Sequence, residues 1–139
     1  MEITAVALQT VEANQNALFT DTVVCGSNSI IHRDGSGLVA LRGLTSQCRA
    51  RFKVFFSGNI AIPTGGTVEA ISVAVAVNGE PVPSTLAIQT PAAVEQFANV
   101  AGAIYLDVPA GCCSQVSIRN TSTQAIEVQN LNLIVERVA

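Results

Sequence analysis

The chain has 139 residues, 49% of them apolar and only 12% charged, with 7 Lys and Arg against 10 Asp and Glu for a net charge of -3. Globular domains typically carry about 25% charged residues, so this one has too few to coat a whole monomer surface, and a membrane location or a large subunit interface would account for the deficit. No run of about 18 apolar residues exists, which excludes a spanning helix; one Tyr and no Trp leave a membrane barrel without its aromatic girdles; and the acidic balance argues against nucleic acid as a partner.

The opening stretch, "MEITAVALQTVEAN", carries an acid at its second position and no basic segment. It does not read as a secretory signal, and synthesis and folding in a cytoplasm are expected. Strand patterns then dominate, near residues 3–9, 17–24, 37–42, 48–57, 67–78, 85–90, 100–108, 112–119 and 124–137. Turn clusters separate them: "HRDGSG", "IPTGG", "NGEPVPS", "PAG" and "RNTSTQ". "TPAAVEQFANV" is the one place for a helical turn, and reads equally well as a loop carrying a strand edge. About nine short strands spaced by Gly, Pro and Asn predict an all-β sandwich or jelly roll, with no alternation of strand and helix.

Three strands carry more than their count. In "CRARFKVFF", Cys48, Ala50, Phe52, Val54 and Phe56 share one face, and Arg49, Arg51 and Lys53 share the other. With Arg42, these place four of the seven positive charges within twelve residues. The cluster is either a solvated strand face or a docking patch for an acidic surface, including pairs across a subunit contact with Glu69 or Glu136. In "VEAISVAVAVNGEPVPS", Ile71, Val73, Val75 and Val77 alternate with Ala70, Ser72, Ala74 and Ala76, and neither face suits water. In the last strand, Ile126 and Val128 share one phase while Leu131, Leu133 and Val135 share the opposite one. Either a bulge at Gln129-Asn130 brings both halves to the core, or one half packs on a partner chain. On the second alternative the subunit-contact residues are Ala70, Ala74, Ala76, Leu131, Leu133 and Val135.

Motifs for chemistry are weak. "HRD", His32 to Asp34, shares three letters with the kinase catalytic loop, but the continuation "GSG" departs from that pattern and the chain is too short for a kinase. His32 is the only histidine, and no GxSxG elbow accompanies it. "PTGGT" lacks the lysine of a phosphate loop and reads as a turn. Glu69, Glu80, Glu95, Asp107, Glu127 and Glu136 stand singly along the chain, so no paired carboxylates or calcium loop are signalled. Cys25, Cys48, Cys112 and Cys113 read as thiols behaving like small hydrophobes; a Cys25 to Cys48 bridge stays open, and metal-ligand spacing is missing. No catalytic residue, cofactor or metal is expected.

The long Val/Ala strand, "CRARFKVFFSGNI" before it and "GCCSQVSIRNTSTQAIEVQNLNLIVERV" at the end together resemble the trimeric jelly-roll domains of the C1q and tumour-necrosis-factor type, in their short bacterial and phage form. That form occurs on collagen-like spore-surface glycoproteins and on head-fibre or capsid decoration proteins of phages. The resemblance covers roughly residues 16–139 and leaves residues 1–15 as an N-terminal segment for attachment to a particle. It implies a homotrimer closed around a threefold axis, a capsid or other particle protein as partner, no membrane, and a location on the virion surface. A bacterial surface is the alternative, less fitting without a Gly-X-Y repeat. A carbohydrate- or receptor-binding tip is the competing role, with Tyr105 the one tyrosine able to stack on a sugar.

Overall fold

The structure is a computed structural model, and it describes residues 1–111 and 113–139. Among the described residues twelve strands follow in chain order: β1 (Glu2–Ala5), β2 (Gln9–Val11), β3 (Asp21–Val24), β4 (Ile30–His32), β5 (Val39–Arg42), β6 (Arg49–Ala61), β7 (Ile71–Val77), β8 (Glu80–Pro81), β9 (Ala87–Gln89), β10 (Ala98–Pro109), β11 (Cys113–Asn120) and β12 (Ile126–Arg137). A 3-10 turn, Pro83–Thr85, interrupts them. "TPAAVEQFANV" is a loop running into β10, and the predicted turn at "HRDGSG" begins one residue inside β4. No helix among the described residues is long and apolar enough to cross a membrane.

The strands form two antiparallel sheets. Sheet A has the order β10-β6-β12-β1-β3, with β2 lying beside β12 beyond the end of β1. Sheet B has the order β4-β5-β11-β7-β8, with β9 also pairing β7. Between them lies one core. Strict two-residue alternation sends Phe52, Val54 and Phe56 inward from β6, Ile71, Val73 and Val75 from β7, and Val116 and Ile118 from β11. The outward residues of both sheets are then left to meet solvent, loops or a partner.

The phase change in β12 is a bulge. Its pairing to β6 slips between Gln129 and Asn132, and Asn130 sits at φ 55°, a left-handed conformation that asparagine tolerates better than a β-branched residue. The extra residue turns Leu131, Leu133 and Val135 inward beside Ile126 and Val128, all of them 3% exposed or less. Gly58 makes room for this, because a Cβ there would collide with Leu131 Cδ2. Leu131, Leu133 and Val135 are therefore core residues of their own chain, not the subunit contact that the alternative reading assigns to them.

The alanine face of β7 is also covered from within. Ala74 and Ala76 are 0% exposed. Their neighbours on β11 are Arg119 and Ser117, and the Arg119 guanidinium reaches the carbonyl of Gly79 at 2.7 Å. Ser117 is buried as well, so this part of the outer face is closed without a second chain. Ser72, next on this face, is tied to Thr121 Oγ1 at 2.6 Å and to Ser122 by two further bonds. Of the six predicted contact residues only Ala70, just before β7, is exposed.

Residues 1–15 also depart from expectation. β1 runs between β12 and β3, and β2 pairs with Ile126 to Val128. Ile3, Ala5 and Val11 are core residues. The segment expected to stand apart as an attachment arm is a component of sheet A.

Candidate interaction face

The outer surface of sheet A is built from four strands whose register is regular enough to read in rows. Ala103 of β10, Phe55 of β6, Ile134 of β12 and Glu2 of β1 lie opposite one another. In the next row are Tyr105, Lys53 and Glu136, and on the other side of the apolar row Ala101, Ser57, Asn132 and Thr4. Phe55 and Ile134 are half-buried by their neighbours, Ala101 and Ala103 are exposed, and Tyr105 is 66% exposed. A band of aromatic, branched and small side chains thus crosses the sheet. Polar residues border it: the Asn132 amide donates to Glu2 Oε2 at 2.8 Å on one side, and Asn99 donates to Asn59 at 3.3 Å on another.

The charged border nearest Tyr105 is a clamp. Asp107 accepts from Arg51 through Nε at 2.8 Å and Nη2 at 3.1 Å, and lies 3.0 Å from Arg49 Nε. The bonds from Arg51 hold the Asp107 carboxyl below the usual carboxylate range, and the charges of Arg51 and Arg49 act in the same direction. The predicted basic docking patch is thereby divided. Arg49 and Arg51 are engaged by Asp107, Lys53 stands between Tyr105 and Glu136, and Arg42 belongs to β5 in the other sheet. The four charges do not form one positive surface. β10 meanwhile is an edge strand of 12 residues whose far side has no partner strand in its sheet, an arrangement that proteins seldom leave uncovered.

The residues singled out for chemistry assemble differently. The His32 side chain is fully buried, its Nε2 faces the Ser36 carbonyl at 3.0 Å, and its ring stands edge-on to Phe19 at 6.5 Å. A carbonyl only accepts, so Nε2 donates to it. Thr22 Oγ1 lies 2.6 Å from Asp34 Oδ1 and 3.5 Å from His32 Nδ1. The hydroxyl proton goes to the nearer carboxylate, so the histidine does not activate it, and the cluster pins β3 to the turn after β4. Glu95 and Glu127, single in sequence, act on each other in space: burial first and then Glu95 raise the Glu127 pKa, while bonds from Thr64 lower that of Glu95. Cys25 and Cys48 are exposed and not bridged, and Cys112 lies outside the described residues. Among the described residues no three His, Cys, Asp or Glu side chains are grouped to hold a metal ion.

No family model matches the sequence, and no curated protein matches it. Its backbone does match solved structures. Eiger TNF from S. frugiperda superposes with a TM-score of 0.68 at 12% identity, covering 100% of this chain and 92% of that one. Murine APRIL at pH 5.0 gives 0.65 at 8% identity, covering 97% of both chains. The fold is the C1q/TNF-type jelly roll. The globular domain of zebrafish complement 1qA protein superposes with a TM-score of 0.61 at 12% identity, over 96% of this chain and 93% of that one. All three superpositions take in nearly the whole chain, so the C1q/TNF-like unit includes β1 and β2.

Proposed function

We propose that this C1q/TNF-like chain is a non-enzymatic structural protein that assembles as a homotrimer through the outer face of sheet A and decorates the surface of a particle, as a phage capsid decoration or head-fibre protein does. The observation that carries the reading is the band of Phe55, Ile134, Ala101, Ala103 and Tyr105, which the chain leaves open while it seals the alanine face of sheet B. Burying such a band contributes about 25 cal/mol per Å² of apolar surface, and a closed ring of subunits also covers the long edge of β10. The capsid role rests on the family resemblance, and repetition on a lattice would add avidity to weak single contacts.

Light scattering on the purified chain across a hundredfold dilution tests the assembly. A species of about 43 kDa, three times 14.4 kDa, that falls to the monomer mass in Phe55→Glu supports it. A persistent monomer in the parent chain overturns it. Co-sedimentation with purified capsids then tests the particle role.

A second reading has one observation in its favour. Tyr105 is 66% exposed beside the Arg51–Asp107 pair, and an aromatic ring next to paired donors and acceptors is a fitting surface for a sugar ring. Glycan-array binding lost in Tyr105→Ala, with the assembly mass unchanged, would establish the sugar-binding tip; the absence of any signal removes it.

A further inference from the structure

We propose that copies of this chain join end to end, the arginine-bearing loops at one end of the sandwich seating on the glutamate-bearing loops at the far end of the next copy. This goes beyond the sheet A assembly and uses none of its residues. Antiparallel pairing sorts the loops into two ends: β6 begins where β10 and β12 finish, with Arg49 opposite Pro109 and Arg137 opposite Phe52. β5 finishes at the same end, with Arg42 opposite Cys113. The amide of Gly111 donates to the Gly43 carbonyl at 3.0 Å, that of Ala110 to the Cys48 carbonyl at 3.0 Å, and the Arg137 guanidinium to the Leu44 carbonyl at 2.8 Å. Loops from both sheets are thereby closed into one surface.

At this end, residues 25–29, 42–49, 109–111 and 137–139 include Arg42, Arg49 and Arg137 and no acid. Just inside, on the strands, Arg51 stands with Asp107 and Glu136, so four arginines meet two acids and the end is positive. Arg42 is exposed, and the Arg49 side chain stays 58% exposed beside Asp107. The opposite end reverses the sign. Residues 12–16, 62–70, 90–97 and 121–125 include Glu12, Glu69 and Glu95 and no Lys or Arg. These loops are also tied together: Glu69 Oε1 accepts the Thr123 hydroxyl at 2.8 Å, Glu95 Oε1 accepts the Thr64 hydroxyl at 2.8 Å, and the Asn120 side chain donates to the Val11 carbonyl at 2.9 Å, beside Glu12. Glu12 and Glu95 are exposed and Glu69 is half-buried.

Each end also bares apolar side chains among its charges. Leu44 and Val138 stand beside the arginines, Val68 and Phe97 beside the glutamates, all between 39% and 51% exposed. Apolar groups rimmed by polar and charged ones are the anatomy of a contact surface, and here the rims are opposite in sign. Two identical ends would bring like charges together, which disfavours that pairing; the complement of each end is the other end of a second copy. Such a contact joins unlike surfaces and leaves one of each kind free, so repetition extends a filament.

Light scattering in about 20 mM and about 300 mM salt reads this contact, because screening of exposed charges strengthens severalfold over that range. The parent chain is expected to reach multiples of its high-salt mass in the low-salt buffer. Phe55→Glu keeps both ends and should do the same from whatever mass sheet A leaves it, so the two assemblies fail separately. Arg42→Glu and Glu12→Lys should each weaken the low-salt association about tenfold. Mixed in equal amounts they should recover it, since each supplies the sign that the other has lost, and misfolding of either variant would not give that recovery. The proposal is overturned by a parent mass that is the same in both buffers, by association that strengthens with salt, by variants that associate like the parent, or by weakened variants that do not recover on mixing. Poly-glutamate bound by a parent chain that does not self-associate also overturns it, and gives the arginine end an acidic partner of another kind.

Discussion

Two patches of small residues, one on the outer face of each sheet, are built by the same alternation and end in opposite states. Sheet B buries Ala74 and Ala76 completely, bonds the neighbouring Arg119 to Gly79, and ties Ser72, Thr121 and Ser122 into a hydrogen-bonded seam. Sheet A presents Ala101, Ala103, Phe55, Ile134 and Tyr105 with polar groups only around them. Small residues in a strand therefore do not by themselves mark a subunit contact. What separates the two patches is whether the chain itself already covers them.

Substitutions can break that contrast, starting with those that act on the core beneath both faces. Leu133→Ala, at a fully buried site, should cost about 2 to 5 kcal/mol in chemical denaturation. Gly58→Ala drives a methyl group against Leu131 and should cost about 1 to 3 kcal/mol by the same measurement. Arg119→Ala removes the bond to Gly79 beside the alanine face, with an expected loss of about 1 kcal/mol and no change in assembly mass. Ile134→Glu should do the reverse, leaving the thermal transition of the monomer nearly in place while abolishing the larger species in light scattering. Asp107→Asn is the mildest: its carboxyl is solvent-accessible, so the Arg51 and Arg49 contacts are screened. Because the folded Asp107 pKa is lowered, any contribution is present above its unfolded value and fades as the pH falls through the folded one; a melting curve at neutral pH should show no resolvable change.

Much of the fold is legible in the sequence because it rests on period and punctuation. Alternation announces the strands around Phe52, Val73 and Ile104, and a change of phase at Gln129-Asn130 announces the β12 bulge. β4 escapes such a reading because it is three residues long and adjoins a turn-rich stretch. Residues 1–15 fall outside the resemblance, although Ile3, Ala5 and Val11 already carry core-type spacing. Leu131, Leu133 and Val135 prove to be core residues for a different reason: they look displaced from the core only while the bulge is undecided. Tyr105 stands out as the lone tyrosine, but the band it joins spans β10, β6 and β12, and cross-strand rows have no signature along one chain.

By itself the sequence determined an all-β chain, its main strands, its charge deficit and the place where the apolar phase of the last strand changes, since each follows from local periodicity and composition. The tertiary structure alone decided which apolar faces stay open, that Arg49 and Arg51 are taken up by Asp107, and that Glu95 acts on Glu127. Those outcomes depend on register between strands distant in sequence, and register is set by packing two sheets on one core.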